Sequence, residues 1–314
     1  MKIAVIIPCY KVTDKVLSVL AAINNNVDAI YIIDDACPDH TGSMVRKHCT
    51  DKRIKVITHS QNYGVGAAVI TGYKSAIEDG HEILVKIDGD GQMDPSLISL
   101  FIQPIILRKA DYTKGNRFYN MESLDRMPKI RLFGNAILSF ITKISSGYWN
   151  IFDPTNGYTA IHSDVLKKLP LNKISNRYFF ESDMLFRLNT VRAVVVDIPM
   201  DANYSDEISN LKISKIIFEF LNKNTINFLK RIFYNYYLRD MSLASIELPL
   251  GIIFFIFGLV FGSLNWIESI YNNQAASSGT VMLAALPLIM GLQLILSFFS
   301  FDIANIPRRP RISL

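Results

Sequence analysis

The sequence predicts an α/β protein with a doubly wound sheet, followed by amphipathic helices and a two-helix membrane hairpin. Three observations predict it. Short β-rich apolar runs at 2–7, 29–33, 54–58 and 82–87 alternate with helical candidates around 14–24, 42–48 and 64–78, a pattern that implies parallel strand pairing. Polar residues follow the strands: Pro8, Cys9 and Tyr10 after the first, Asp34 and Asp35 after the second, Asp88 and Asp90 after the fourth. Ligands of such sheets bind beyond the carboxyl ends of the strands. Finally, residues 1 to about 210 have ordinary α/β texture, and the apolar surplus lies beyond residue 245.

The first run, Met1–Ile7, is too short for the apolar core of a signal peptide and is stopped by Pro8, so it reads as a buried strand whose end stays in the cytosol. The chain has 314 residues, enough for about two domains, and a net charge of +5, mild enough that no nucleic-acid partner is needed. Cys9, Cys37 and Cys49 form an odd set without CxxC, which argues against a disulfide framework and for a reducing compartment. Cys37, His40, His48 and Cys49 match no familiar zinc spacing.

The segment 82–92 carries the strongest chemical signal. An apolar run ends in Asp88-Gly-Asp90-Gly-Gln92. On extended backbone alternate side chains point the same way, so Asp88, Asp90 and Gln92 can converge on one hard cation. Oxygen-only ligands suit Mg2+ or Mn2+ held jointly with substrate phosphates. An EF-hand calcium loop would need Gly and Glu where Met93 and Ser99 stand. A surface turn rich in Asp and Gly is the other reading.

Nucleotide-binding rivals fail on spacing. A dinucleotide fingerprint should follow the first strand, where Pro8-Cys9-Tyr10 stands, and the later run Gly64–Gly72 has the wrong final spacing. No Gly-Lys-Ser/Thr is present for a P-loop.

From 211 to 237 the texture becomes basic and amphipathic, with Lys212, Lys215 and Lys223 opposite Ile213, Ile216, Ile217 and Phe220. Helices in the membrane interface fit this composition; a pair packed on the domain core is the other reading. Two uncharged segments, 248–264 and 279–301, follow, each reaching membrane-spanning length with its flanks. Lys230, Arg231 and Arg239 precede the hairpin, Arg308, Arg309 and Arg311 follow it, and the loop 268–278 has no Lys or Arg. The charge bias places both flanks in the cytoplasm. The expected organisation is therefore 1–210 catalytic, 211–240 juxtamembrane helices, 241–304 hairpin with spans near 246–267 and 279–301, and 305–314 a basic tail.

Five motifs together resemble the inverting family 2 glycosyltransferases of GT-A fold, a Rossmann-like mixed sheet, and among them the polyprenyl-phosphate glycosyltransferases. They are Ile6–Tyr10, Ile33–Thr41, Asn62–Ala68, Asp88–Gln92 and Asp153–Tyr158. The resemblance implies that Pro8, Tyr10 and Asp35 hold the base and ribose of a nucleotide sugar, with Asn62, Gly64 and Gly66 letting backbone approach it. It implies that Asp88 and Asp90, with Gln92, bind Mg2+ or Mn2+, that Asp90 is needed for catalysis, and that Asp153 is the catalytic base. Arg117 and Arg131 match positions that grip phosphate, and Glu181 and Asp183 an acidic cluster near the acceptor.

Local alternatives stand beside each role. Asp34 and Asp35 can cap the next helix, 153–157 is an ordinary turn signal, and Glu181 and Asp183 can pair within a helix. The Gln-x-x-Arg-Trp run of processive synthases is absent.

The expected function is transfer of a hexose from a UDP- or GDP-linked sugar to a polyprenyl phosphate such as undecaprenyl phosphate. The expected location is the cytoplasmic face of the inner membrane, in a multi-pass protein with both termini cytoplasmic. A lipid-linked saccharide or glycan hydroxyl is an alternative acceptor, and a non-catalytic nucleotide-sugar-binding scaffold is an alternative class. The sequence leaves open the sugar, the base, the metal and whether the chain forms a homo-oligomer.

Overall fold

Strand β1 (Ile3–Cys9) is central in the sheet, and all its residues are buried. It runs two residues beyond the point where Pro8 was expected to stop it. The Cys9 carbonyl accepts from the Asp35 N–H at 3.0 Å, so Cys9 faces its partner β2 (Ala29–Asp34). Pro8, one residue back, turns its nitrogen the other way, towards β4 (Ile83–Lys86), whose pairing has already ended at Ile6 opposite Lys86. A strand tolerates proline where no ladder bond is owed.

The remaining strands are β3 (Ile54–Thr58), β5 (Tyr112–Asn116), β6 (Thr159–His162) and β7 (Val195–Pro199). They form one seven-stranded sheet in the order β3-β2-β1-β4-β6-β5-β7. β1 to β4 are parallel, as the βα alternation predicts, whereas β6 runs antiparallel to both β4 and β5. The sheet is therefore mixed. Helices α1 (Thr13–Ala22), α2 (Thr41–His48) and α3 (Val65–Glu78) connect the parallel strands. Val5, Ile7, Ile30, Ile32, Val85 and Ile87 pack with Ile98, Phe101 and Ile105 of α4 (Ile98–Ile106) in the main core.

The computed structural model describes residues 1–119, 129–201 and 213–312, and within these the side chains of 129–131 and 213–217 lie outside the description. Two compact units are present, Met1–Leu229 with Pro307–Leu314, and Lys230–Ile306.

The C-terminal residues belong to the first unit through Asp111, which is fully buried. Its carboxylate accepts the N–H groups of Arg311 (2.6 Å), Ile312 (3.0 Å) and Val194 (2.7 Å). Ile312 packs against the main core.

Two helices, one within the first unit and one that belongs to it up to Leu229, are inverted there relative to a water-soluble surface helix. In α5 (Lys129–Ser146), Ser139, Thr142 and Ser145 are buried while Phe133, Ile137 and Phe140 are exposed. In α8 (Ile213–Phe233), Asn224 and Asn227 are buried with Phe220, while Phe218, Leu221, Ile226 and Leu229 are exposed. Hydrogen bonds fix the inward faces: Ser145 Oγ donates to Asn224 Oδ1 at 2.5 Å, and Asn227 Nδ2 to Asp183 Oδ1 at 3.1 Å. Apolar faces turned outward are what a lipid interface selects.

The second unit contains helices long and apolar enough to cross a membrane, α9 (Leu243–Tyr271) and α10 (Ser278–Ala304). At 1.5 Å per residue each spans roughly 40 Å, more than a bilayer's hydrocarbon core. They meet at small residues: a Cβ on Gly258 would lie 2.7 Å from the Leu288 nitrogen, and one on Gly291 2.4 Å from the Phe255 nitrogen. In the same unit Arg231 donates to both oxygens of buried Asp302 (2.6 and 3.0 Å), and Tyr236 Oη donates to one at 2.6 Å. Both carboxylate oxygens thus accept hydrogen bonds, as the desolvation of a buried ion pair requires.

Candidate active site

The carboxyl ends of β1, β2 and β4 bring together most of the residues singled out in the sequence. Tyr10 follows β1 and is 44% exposed, leaving a ring face open. Asp34 and Asp35 divide their work. Asp34 accepts from the N–H groups of Cys37 and Gly42, both at 2.7 Å, and so caps α2. Asp35 accepts from the N–H groups of Tyr63 (3.0 Å) and Gly64 (2.7 Å) and lies 2.7 Å from His59 Nδ1. Asn62 Nδ2 reaches the Asp35 carbonyl at 3.4 Å. Asp35 is therefore the anchor that folds the 59–64 loop against the end of β2.

The glycines here serve packing. Gly64 has a φ of +101°, and a Cβ on it would meet the Asn176 carbonyl at 2.5 Å. One on Gly66 would meet the Ser175 carbonyl at 2.3 Å. The space beside both is filled by the 175–180 segment.

β4 ends at Lys86, and Gly89 and Asp90 form a turn. The extended alternation expected to align Asp88, Asp90 and Gln92 therefore does not continue through them; turn geometry sets their directions instead. Asp90 Oδ1 accepts from the Gln92 N–H at 3.0 Å. Asp88 and Asp90 are both half-buried, facing neither core nor bulk solvent entirely. Among the described residues no group of three or more His, Cys, Asp or Glu could hold a metal ion by itself. Two half-exposed carboxylates are nonetheless the donor set that Mg2+ or Mn2+ uses when substrate phosphates fill its other positions. The residues fit that shared mode, whereas the Cys37, His40, His48, Cys49 set forms no site among the described residues.

Behind Asp88 stands a charged row that local spacing does not reveal. Strand register aligns Lys86 with Thr159, Thr159 with Lys114 and Lys114 with Asp197, so their side chains share one face of the sheet. Lys86 is 1% exposed, and its Nζ lies 3.0 Å from both Asp88 Oδ1 and Glu181 Oε1. Burial alone would lower its pKa, but the carboxylates of Asp88 and Glu181 outweigh burial and hold it above the usual lysine range. Lys114 contacts the Asn156 carbonyl, and burial brings its pKa down to about 8. Burial also pushes Asp197 up to about 6. A Cβ on Gly157 would lie 2.4 Å from Lys86 Nζ and 2.5 Å from Asp88 Oδ2. Only glycine leaves room there for the Lys86–Asp88 contact.

Asp153 is 1% exposed and paired with Arg117, whose Nε donates to Oδ2 at 2.7 Å and Nη2 to Oδ1 at 2.9 Å. Arg131 is on α5, with its side chain outside the described residues. Asp183, in α7 (Phe180–Thr190), is occupied within the protein by the N–H of Ser175 (2.9 Å), Arg187 Nε (3.2 Å) and Asn227. Glu181, ranked with it in the sequence, is the one that reaches the site.

Residues 4–170 match the family model described as glycosyl transferase family 2. The UDP-N-acetylglucosamine–dolichyl-phosphate N-acetylglucosaminyltransferase of Methanococcus voltae is 32% identical over 218 residues, 65% of this chain and 86% of that protein. The undecaprenyl-phosphate mannosyltransferase of Micrococcus luteus is 28% identical over 204 residues, 64% of this chain and 83% of that protein. Among solved structures, the glucosyl-3-phosphoglycerate synthase of Mycobacterium tuberculosis, in complex with Mn2+, UDP and glucosyl-3-phosphoglycerate, superposes with a TM-score of 0.53. At 15% identity, over 73% of this chain and 79% of that one, this likeness shows the fold. The fold class is a GT-A-like mixed sheet. The chain belongs to glycosyl transferase family 2.

Proposed function

We propose that the protein transfers a hexose from a UDP- or GDP-linked sugar to a polyprenyl phosphate at the cytoplasmic face of a membrane, with inversion at the anomeric carbon. The observation that carries this reading is that one chain joins Asp88 and Asp90, at the carboxyl end of β4, to two helices of membrane-crossing length. The outward apolar faces of α5 and α8 support a site that works at a lipid surface. Relatives named for dolichyl-phosphate and undecaprenyl-phosphate transfer support the acceptor class. The Lys and Arg residues that flank the hairpin, and their absence from 268–278, support a hairpin with both ends in the cytoplasm.

Asp88 and Asp90 would hold Mg2+ or Mn2+, as suits a family whose structural neighbour was crystallised with Mn2+ and UDP. When bound, such an ion supplies positive charge to the departing diphosphate. Tyr10 offers a stacking face for the base, and Asp35 sets the loop that closes beside it. An acceptor phosphate oxygen attacks the anomeric carbon, forming the new C–O bond as the bond to the nucleoside diphosphate breaks. A phosphate monoester loses its second proton near pH 6, so this nucleophile needs no strong base. Asp153 is engaged by Arg117 and serves best by aiming that guanidinium at a phosphate.

The test is a screen of nucleotide sugars with the purified full chain, Mn2+ and undecaprenyl phosphate. An acid-labile glycolipid formed without a saccharide primer is the expected product. A strict primer requirement would establish a hydroxyl acceptor instead, and nucleotide-sugar binding with no turnover on either acceptor would establish a scaffold.

A further inference from the structure

Lys86 contacts the site yet takes no part in the steps above. We propose that Lys86, neutralised by Glu181, is a positioning residue that sets the Asp88 carboxylate for a divalent cation; this rests on the reading of Asp88 as a metal ligand.

The geometry carries the argument. Lys86 Nζ takes Asp88 Oδ1 from the protein side at 3.0 Å, while the Asp88 side chain keeps 29% exposure. The carboxylate is thus tethered from below and open from above. Outer partners of this kind fix the orientation of metal-binding carboxylates.

Charge would seem to oppose the arrangement, since an ammonium beside a divalent ion repels it. Glu181 Oε1, at the same 3.0 Å from Nζ, cancels that charge. Lys86 therefore donates its hydrogen bond without adding net positive potential.

Stability does not account for the trio. Apolar residues of similar volume often stabilise a fold as well as a buried ion pair does, and the strand neighbours are Ile83, Leu84, Val85 and Ile87. A methionine would suit that strand as well. Gly157 adds to the case, because its missing side chain is the space that the Lys86–Asp88 contact occupies.

Removing Lys86 alone would strand Glu181 as an unpaired buried carboxylate, so the test uses the double variant K86M/E181Q. Full-length protein in detergent is titrated with Mn2+ in the presence of saturating UDP and, separately, GDP, with free Mn2+ followed by electron paramagnetic resonance. We expect Mn2+ affinity to fall about ten- to hundredfold, with metal-free nucleotide affinity unchanged. E181Q is the second variant: it leaves the lysine charge uncancelled, and weaker Mn2+ binding is again expected. Wild-type Mn2+ affinity in either folded variant overturns the proposal. D88N separates the two levels. If D88N also binds Mn2+ as the wild type does, the metal reading fails; if it loses Mn2+ while K86M/E181Q keeps it, only the role of Lys86 fails.

Discussion

Arg117 holds Asp153 in a two-pronged bond, Nε to Oδ2 at 2.7 Å and Nη2 to Oδ1 at 2.9 Å, although 36 residues separate them. A carboxylate used as a general base would have to leave this fork. Loss of a working general base costs about 10²–10⁴ in rate. We expect D153N to lose less, on the order of tenfold, when the acceptor is a lipid monophosphate. The acid limb of kcat/KM should follow the acceptor's own ionisation near pH 6 and persist in D153N. Disappearance of that limb in the variant would make Asp153 the base.

Gly157 is where packing and chemistry meet. A methyl group at this position must displace Lys86 Nζ or Asp88 Oδ2, which lie within 2.5 Å of where it would stand. Overpacking of this kind costs about 1–3 kcal/mol. G157A should therefore lower the melting temperature and also raise the Mn2+ concentration needed for half-maximal activity. A variant with normal metal dependence would show that the pair relaxes elsewhere.

The parallel half of the sheet is legible because its signals are local. Apolar runs bounded by polar residues delimit β1 to β4, and periodic helices delimit α1 to α3, to within a few residues. Pro8 misleads because its effect depends on which neighbouring strand owes a hydrogen bond, a fact of pairing rather than of composition. Lys86 and Glu181 are 95 residues apart, and only folding places them together. A clue was available: a lysine inside a buried apolar strand must find a carboxylate. The outward face of α5 shows the helical spacing of Phe133, Ile137 and Phe140. In the sequence that stripe is indistinguishable from one facing the core.

Asp197 should leave a signature in the pH dependence of stability. Burial raises its pKa from 3.8 to about 6. Between those values the folded protein keeps a proton that the unfolded chain has released. Stability from this group is therefore greatest below about pH 4, falls as pH rises to about 6, and is constant beyond, a change on the order of 2–3 kcal/mol. Its Oδ2 accepts from Asn116 Nδ2 (3.0 Å) and the Phe152 N–H (3.1 Å), while Oδ1 has no partner among the described residues. D197N keeps the accepting oxygen and removes the titration. Its melting temperature should gain on the wild type's from pH 4 to pH 6.5; parallel curves would contradict the shift.

The C-terminal contact at Asp111 should matter to the first unit itself. In D111A the N–H groups of Val194, Arg311 and Ile312 all lose their acceptor. An unsatisfied buried donor costs about 1–3 kcal/mol, and the tail can escape to water at the expense of Ile312's packing. We expect faster amide exchange at Val194, Arg311 and Ile312, with exchange in β1 and β2 unchanged. Equal protection in wild type and D111A would show that the tail is held by its apolar contacts alone.

Close backbone approach in the hairpin yields a prediction independent of catalysis. Gly291 and Gly258 stand where a side chain would strike the opposite helix, at the Phe255 and Leu288 nitrogens respectively. Lipid tails are as apolar as leucine, so association of such helices depends on close packing rather than on expulsion of water. G258L and G291L should therefore loosen the α9–α10 contact, whereas leucine at Gly279, whose nearest neighbour is Ser277 Oγ at 3.7 Å, should be tolerated. The measurement is disulfide formation, in membranes, between cysteines introduced at Gly262 and Ala284, where a Cβ on the first would stand 3.1 Å from that of the second. Efficient cross-linking in the parent and the Gly279 variant, with loss in the other two, is expected; equal efficiency in all four would mean that the glycines do not set the spacing of the hairpin.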